Sequence, residues 1–338
     1  MDNEPSRLPT QQRKRHSLAR RLTPALMILL AAPLVILYGQ TVADMVKASQ
    51  FHPSTQIAAI SSRLGLNARA KRTFYATAPA IEEKSQFNTD CKSTERTAAI
   101  LGCYYRDRIY LYDIQNTELD GTLEVTAAHE MLHAAYQRLN MLERKQVDVM
   151  IQAEYQKIKD DATVKQLMQY YSQAEPGDEI NELHSIVGTT VADLTPELER
   201  YYKRYFNDRS AVVALNAKYN KVFDELTKQA EALQAKIDSA GPTLKNDLAT
   251  YATDLAQLNL DIESFNARAA NGGFATQSSF TAARVALVAR VDDLNVRQDA
   301  LNARVEAYNA DIAALNKLSI KANQLNESLN GASSPTGV

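Results

Sequence analysis

The chain has 338 residues and a formal net charge of −2, and 45% of its residues are hydrophobic. A chain of this length accommodates one core with an extended element, or two small domains. The near-zero net charge gives no electrostatic reason to expect nucleic acid as a partner. Glycine and proline are scarce, with 11 and 10 residues, and this composition favours long helices.

The N-terminus combines a basic segment with an apolar run. Residues 22–38 carry no charge, and no Lys or Arg follows the run until Lys47. An uncharged run of this length after a basic flank predicts a membrane helix whose N-terminus stays in the cytoplasm. The basic residues that precede the run are Arg13, Lys14, Arg15, Arg20 and Arg21.

We therefore expect a basic cytoplasmic tail at 1–21, a transmembrane anchor at 22–46 and an extracytoplasmic remainder, as in a single-pass protein of the cell membrane. A cleaved signal peptide is the alternative, because the Thr-Val-Ala sequence at 41–43 is an acceptable cleavage site. Both interpretations place the bulk of the chain outside the cytoplasm. In an oxidising compartment the two cysteines, Cys91 and Cys103, can form a disulfide, and two free thiols are the alternative.

Between the anchor and residue 207, hydrophobic periodicity predicts an α+β arrangement that is mostly helical. Residues 72–80 and 97–114 have the composition of strands, and 97–114 divides into two strands around Arg106 and Asp107. Helices are predicted at about 54–65, 121–139, 141–159, 162–172, 178–191 and 195–206.

From Asp208 onward, apolar residues recur at alternating steps of three and four residues. This 3.5-residue period is typical of a coiled coil, which we place at 208–330. Turn-forming residues at 239–243 and 271–280 predict two breaks, and hence three helices of which the first two are antiparallel. These apolar residues form the seams along which the helices pack. Their sequence does not decide whether the coiled coil presents substrate, self-associates or binds a protein partner. The small, polar residues at 331–338 predict a disordered tail.

The strongest chemical signal is a His-Glu-x-x-His motif formed by His129, Glu130 and His133. On a helix, the two histidines lie one turn apart on the same face, and two imidazoles at this spacing bind one zinc ion. The intervening glutamate is placed to act as general base on a zinc-activated water. A chance match is the alternative, but the apolar stripe of the same helix and the strand-like segments before it favour a metal site.

A catalytic zinc ion needs a third protein ligand and one open position. The residues near 180 offer three candidates, Glu179, Glu182 and His184. Glu182 and His184 lie about 200° apart around a helix, so they cannot both face one metal ion. The residues alone leave the choice among the three open.

A resemblance to a known family bears on this choice. Ile180, Asn181 and Glu182, followed by an apolar stretch and by Gly188, resemble the third-ligand helix of the thermolysin-like gluzincins. The resemblance covers about 80 residues, and it implies a zincin-like fold, a Zn²⁺ cofactor and Glu182 as third ligand. The sequence departs from the family at Ile186, where the gluzincins have an Asp that orients a zinc-bound histidine.

The family also uses a Tyr or His to stabilise the oxyanion. Tyr171, or its neighbour Tyr170, resembles that residue by its position shortly before the third-ligand helix. Three further tyrosines follow that helix, but an aromatic stripe of this kind is more often part of a core. These are Tyr201, Tyr202 and Tyr205.

Together these features predict a zincin-like domain at 50–207, followed by the antiparallel coiled coil. The expected function is that of a membrane-anchored, extracytoplasmic zinc metallopeptidase, which hydrolyses peptide bonds in a protein or peptide substrate. A coiled-coil envelope adaptor with a vestigial zinc site is the first alternative. A zinc-dependent amidase that acts on something other than protein is the second.

Overall fold

The computed structural model describes residues 39–91, 101–161, 164, 165, 167–169, 172 and 177–330. The basic tail, the apolar run, the C-terminal tail and Tyr171 lie outside the described residues. The predictions made for them therefore stay predictions. Among the described helices, none has both the length and the apolar character needed to cross a membrane.

The chain divides into two compact units. The first comprises Met1–Arg96, Gly102–Tyr112 and Glu124–Val213, and the second Thr97–Leu101, Asp113–Leu123 and Ala214–Val338. The first unit thus ends a few residues after the boundary predicted at 207. A short segment after the sheet, Asp113–Leu123, belongs to the second unit.

The first unit is built from short helices, four of which begin at a polar residue whose side chain caps the first turn. The side chains of Ser54, Asn67, Asn140 and Thr195 each accept a backbone N–H of the following helix, which satisfies donors that the first turn leaves free. The helices are 39–50, Thr55–Arg63, Ala68–Ala76, Lys84–Asp90, Thr122–Gln137, Met141–Ile158, Glu179–Thr190 and Pro196–Tyr202.

A three-stranded sheet completes this unit, with β1 at Ala80–Glu82, β2 at Gly102–Tyr105 and β3 at Arg108–Tyr112. Its order is β1-β3-β2, in which β1 is parallel and β2 antiparallel to β3. Arg106 and Asp107 have positive φ angles of 51° and 61°, as a two-residue turn between twisted strands requires. The predicted hairpin around these two residues is confirmed.

The strand predicted at 72–80 is wrong for most of its length, because Ala68–Ala76 is a helix. Asn67 caps its first turn, and Ala70, Thr73 and Phe74 are buried at helical spacing. The β-branched and aromatic residues of this segment therefore pack on one helical face, which overrides their preference for strands.

Cys91 and Cys103 are joined as a disulfide, with their Cα atoms 6.0 Å apart. The bond links the end of the helix Lys84–Asp90 to strand β2. Of the two interpretations of the cysteines, the structure therefore contains the disulfide.

The second unit contains two long helices, Ser210–Ala270 and Gln277–Leu329, where the sequence predicted three. The break predicted at 239–243 is wrong, since the first helix continues through Pro242. A Cβ at residue 241 would lie 3.2 Å from the hydroxyl of Tyr308, so Gly241 lets the facing helix pack closely at this point. The second predicted break is confirmed, with Gly272 at a φ of 66° between the two helices.

The two long helices are antiparallel. Asp247, Asp254 and Asp261 on the first helix pair with Arg304, Arg297 and Arg290 on the second, at distances of 2.6, 2.8 and 2.5 Å. Leu244 and Leu258 are buried between the helices, whereas Leu248 and Leu255 stay 41% and 38% exposed although they belong to the predicted seams. Two packed helices bury less of each other's apolar surface than three would, and Leu248 and Leu255 therefore stay partly exposed.

Pro242 provides a test of the continuous helix. A proline inside a helix is about 3 kcal/mol less favourable than alanine, so Pro242→Ala should raise the thermal midpoint of the long helices measured by circular dichroism. Pro196→Ala is the control, because Pro196 lies in the first turn of its helix and removes no intrahelical bond. An unchanged or lower midpoint for Pro242→Ala would show that the chain needs a break at this position.

Candidate metal centre

The helix Thr122–Gln137, here called the motif helix, carries His129 and His133 on one face. Their rings lie edge to face with centroids 4.7 Å apart. The side chain of His129 is 17% exposed and that of His133 is 9% exposed. The other faces of this turn are buried through Ala128, Met131 and Leu132, so both imidazoles lie at the edge of the core.

The helix Glu179–Thr190, here called the third-ligand helix, brings one carboxylate between the two imidazoles. Glu182 Oε2 lies 3.4 Å from His129 Nε2, and its Oε1 lies 3.3 Å from His133 Nε2. One atom from each of the three residues falls within 4.8 Å of the others. Ligands about 2.0–2.1 Å from a tetrahedral zinc ion are separated by about 3.3 Å, and the two distances from Glu182 to the histidines match this separation.

The two helices approach each other closely at Gly188. A Cβ at this position would lie 2.5 Å from Leu132 Cδ1 and 2.7 Å from a ring carbon of Tyr202. The hydroxyl of Tyr202 donates a 2.7 Å hydrogen bond to the carbonyl of His184. Glycine is thus required for the third-ligand helix to fit between the motif helix and Tyr202, and this fit carries Glu182 to the histidines.

The structure does not bring the other two ligand candidates into the cluster. His184 is fully buried, and its Nε2 lies 2.8 Å from the hydroxyl of Tyr201. Burial, followed by the nearby His133 and His129, lowers the pKa of His184 to about 3, so this side chain is neutral at neutral pH. Glu179 is half-buried, and its carboxylate accepts the backbone N–H of Gly177 at 3.1 Å.

The tyrosines that follow the third-ligand helix are core residues. Burial raises the pKa of both Tyr201 and Tyr202 well above the ordinary value, and their hydroxyls are engaged by the side chain and the carbonyl of His184. Ile186 is buried, and among the described residues His133 Nδ1 has no hydrogen-bond partner. This agrees with the departure from the gluzincin pattern at Ile186.

Glu130 is buried, with 7% of its surface exposed, and it lies against strand β2. A Cβ at Gly102 would lie 3.1 Å from Glu130 Cγ and 2.5 Å from Thr126 Cγ2. The backbone of β2 can therefore approach the motif helix only because residue 102 is glycine. Sequence reasoning missed Gly102, although a glycine inside a strand-like run is a signal of close backbone approach.

Comparison of the chain with models of known protein families gives no match. Comparisons with curated proteins and with solved structures give no significant match either. The geometry of the cluster and its surroundings is therefore the basis for a functional interpretation.

A pair of matched substitutions tests which of the candidate residues binds a metal ion. Glu182→Gln removes one anionic ligand without changing the size of the side chain, so we expect zinc affinity to fall at least about 100-fold. Glu179→Gln on the same helix should leave affinity unchanged, because Glu179 does not belong to the cluster. Competition with a chromophoric chelator measures both variants. Equal affinities in the two variants, or a larger loss in Glu179→Gln, would contradict the cluster as the metal site.

Proposed function

We propose that this protein is a zinc metallopeptidase in which His129, His133 and Glu182 hold Zn²⁺ and Glu130 is the general base. The observation that supports this most directly is the buried Glu182 carboxylate within 3.3–3.4 Å of both Nε2 atoms. Imidazole nitrogens and carboxylate oxygens are ligand types that zinc binds, and these three residues bring two of the first and one of the second together. Three protein ligands leave a fourth position open, as in catalytic zinc sites.

When bound, zinc supplies a Lewis acid that polarises the scissile carbonyl and lowers the pKa of water. Glu130 follows His129 directly on the motif helix, and its side chain is held between that helix and β2. In the proposed reaction its carboxylate takes a proton from the attacking water and passes it to the leaving nitrogen. The burial of Glu130 supports this role, because it limits the access of bulk water to the carboxylate.

The substrate we propose is an extended peptide that lies along β2. This strand is at the end of the sheet, and within the described residues it pairs with β3 on one side only. An end strand offers backbone N–H and C=O groups to an incoming segment, and Gly102 places this strand beside Glu130. A peptide paired with β2 would therefore pass the general base.

The disulfide between Cys91 and Cys103 supports an extracytoplasmic location, since disulfides persist in oxidising compartments. With the apolar run at 22–38, it favours a membrane-anchored enzyme that acts on proteins of that compartment. In this proposal the long helices bind a protein partner or a second copy of the chain.

A coiled-coil adaptor with a vestigial zinc site is the second candidate function. The exposed Leu248 and Leu255 on the first long helix favour it, because apolar residues at heptad spacing on a helical surface are typical of binding faces. The two functions differ in their requirement for Glu130, since an adaptor needs no general base.

The general base is tested by Glu130→Gln. This variant keeps the size of the side chain but cannot accept a proton, so peptide hydrolysis should fall by about 10²–10⁴-fold while zinc content stays near one ion per chain. Zinc analysis and a fluorogenic peptide assay on both proteins check this. Wild-type chain that binds zinc but cleaves no peptide in a diverse library would favour the adaptor.

The contact between β2 and the motif helix is tested by Gly102→Ala. The added methyl collides with Thr126 Cγ2 and crowds Glu130, so hydrolysis should fall about tenfold or more while zinc is retained. Thr126→Ser removes the colliding methyl, and the double variant should recover part of the activity. Thr126→Ser alone is the control. A double variant as impaired as Gly102→Ala would show that this contact does not limit catalysis.

A further inference from the structure

A second cluster of buried charges lies at the C-terminal end of the motif helix, beyond the turn that Gly102 approaches. Arg138 directly follows this helix, and its side chain is only 10% exposed. Its Nη1 donates a 2.9 Å hydrogen bond to the carbonyl of Ala134 in the last turn. A guanidinium at this position also interacts favourably with the negative end of the helix dipole.

Arg138 connects the motif helix to the helix at 39–50, here called the N-terminal helix. Arg138 Nε and Nη2 donate to the two carboxylate oxygens of Asp44, at 2.8 and 3.1 Å. Asp44 is itself 5% exposed and also accepts a 3.0 Å hydrogen bond from Gln40. A two-bond pair between buried partners holds both elements in one geometry, and Asp44 lies within the range predicted as the membrane anchor.

The same guanidinium also holds the hairpin of β2 and β3. Arg138 Nη2 donates to Asp107 in the hairpin turn at 2.8 Å, and Nη1 donates to the hydroxyl of Tyr104 on β2 at 3.2 Å. Burial alone would raise the pKa of Asp107, but hydrogen bonds from Lys47 and Arg138 hold it below its ordinary value. Lys47, on the N-terminal helix, pairs with this carboxylate as well.

We propose that Arg138 is a positioning residue that fixes strand β2 against the motif helix and couples both to the N-terminal helix. Strand β2 then meets the motif helix at two places, at Gly102 beside Glu130 and at Tyr104 beside Arg138. The N-terminal helix thereby becomes part of the support of the substrate strand. The consequence for substrate binding rests on the proposed function, whereas the coupling between the elements does not.

Lysine cannot replace the guanidinium here. Arg138 uses Nε, Nη1 and Nη2 to bind four groups on three elements and its own helix. An ammonium is a single point donor without this fixed fork. Arg138→Lys keeps the charge but loses the simultaneous contacts, and Asp44→Asn keeps the shape but loses one charge.

The coupling is tested on the full-length chain in mild detergent by hydrogen exchange at the amides of Gly102–Tyr105. We expect Arg138→Lys and Asp44→Asn each to raise exchange of these amides about tenfold, although Asp44 lies on a different element. Arg204→Met is the matched control, because Arg204 forms a half-buried 2.7 Å pair with Glu143 in the same unit. It should leave β2 unchanged.

A rise of exchange in the N-terminal helix alone would overturn the proposal, as would an equal rise at β2 in the Arg204→Met control. Zinc content should stay at the wild-type value. Its loss would mean that the contacts of Arg138 support the metal ligands and not strand β2.

Peptide kinetics give a separate readout. Both variants should raise KM about tenfold for a long extended peptide but leave KM for a dipeptide derivative unchanged. Equal changes for the two substrates would overturn the role in substrate binding. If wild-type chain cleaves neither substrate, the proposed function fails, and the exchange measurement still decides the coupling.

Discussion

The candidate site depends on one close contact between two helices. A single carboxylate can lie between two imidazoles only if the third-ligand helix comes near enough to the motif helix, and Gly188 opposite Leu132 makes this approach sterically possible. Any side chain at 188 would separate the helices by displacing Leu132 or Tyr202, and Glu182 would move away from the histidines. The geometry of the cluster of His129, His133 and Glu182 is therefore a consequence of core packing.

This packing also buries ionisable side chains, whose charges then have to be balanced. Glu182 and His133 are almost fully buried, and burying ionisable groups is costly unless their charges are balanced. His184, two residues after Glu182, avoids this cost by remaining neutral and pairing with Tyr201. The cluster of His129, His133 and Glu182 places one carboxylate between two imidazoles, and in the proposed function a bound cation shares these three donors. Strand β2 and Glu130 border the same region.

The two long helices follow simpler rules. Apolar residues at heptad spacing face each other, and Asp–Arg pairs at seven-residue intervals flank them. Such exposed pairs contribute little to stability individually, but opposite charges in this order favour the antiparallel alignment over a shifted one. The sequence therefore predicted long helices here, but the two segments that it predicted to be antiparallel form one continuous helix. The prediction failed at Pro242, because the helix continues through this proline although the local sequence favours a break.

The sequence by itself determined the features that depend on local spacing. His129, Glu130 and His133 share a helical face by periodicity alone, and Arg106 with Asp107 marks the hairpin turn. Only the tertiary structure decided which of Glu179, Glu182 and His184 meets the histidines, since that depends on where two distant helices cross. The same holds for Asp44, whose partner Arg138 lies 94 residues away. Contacts between distant segments are set by packing, and no local pattern encodes them.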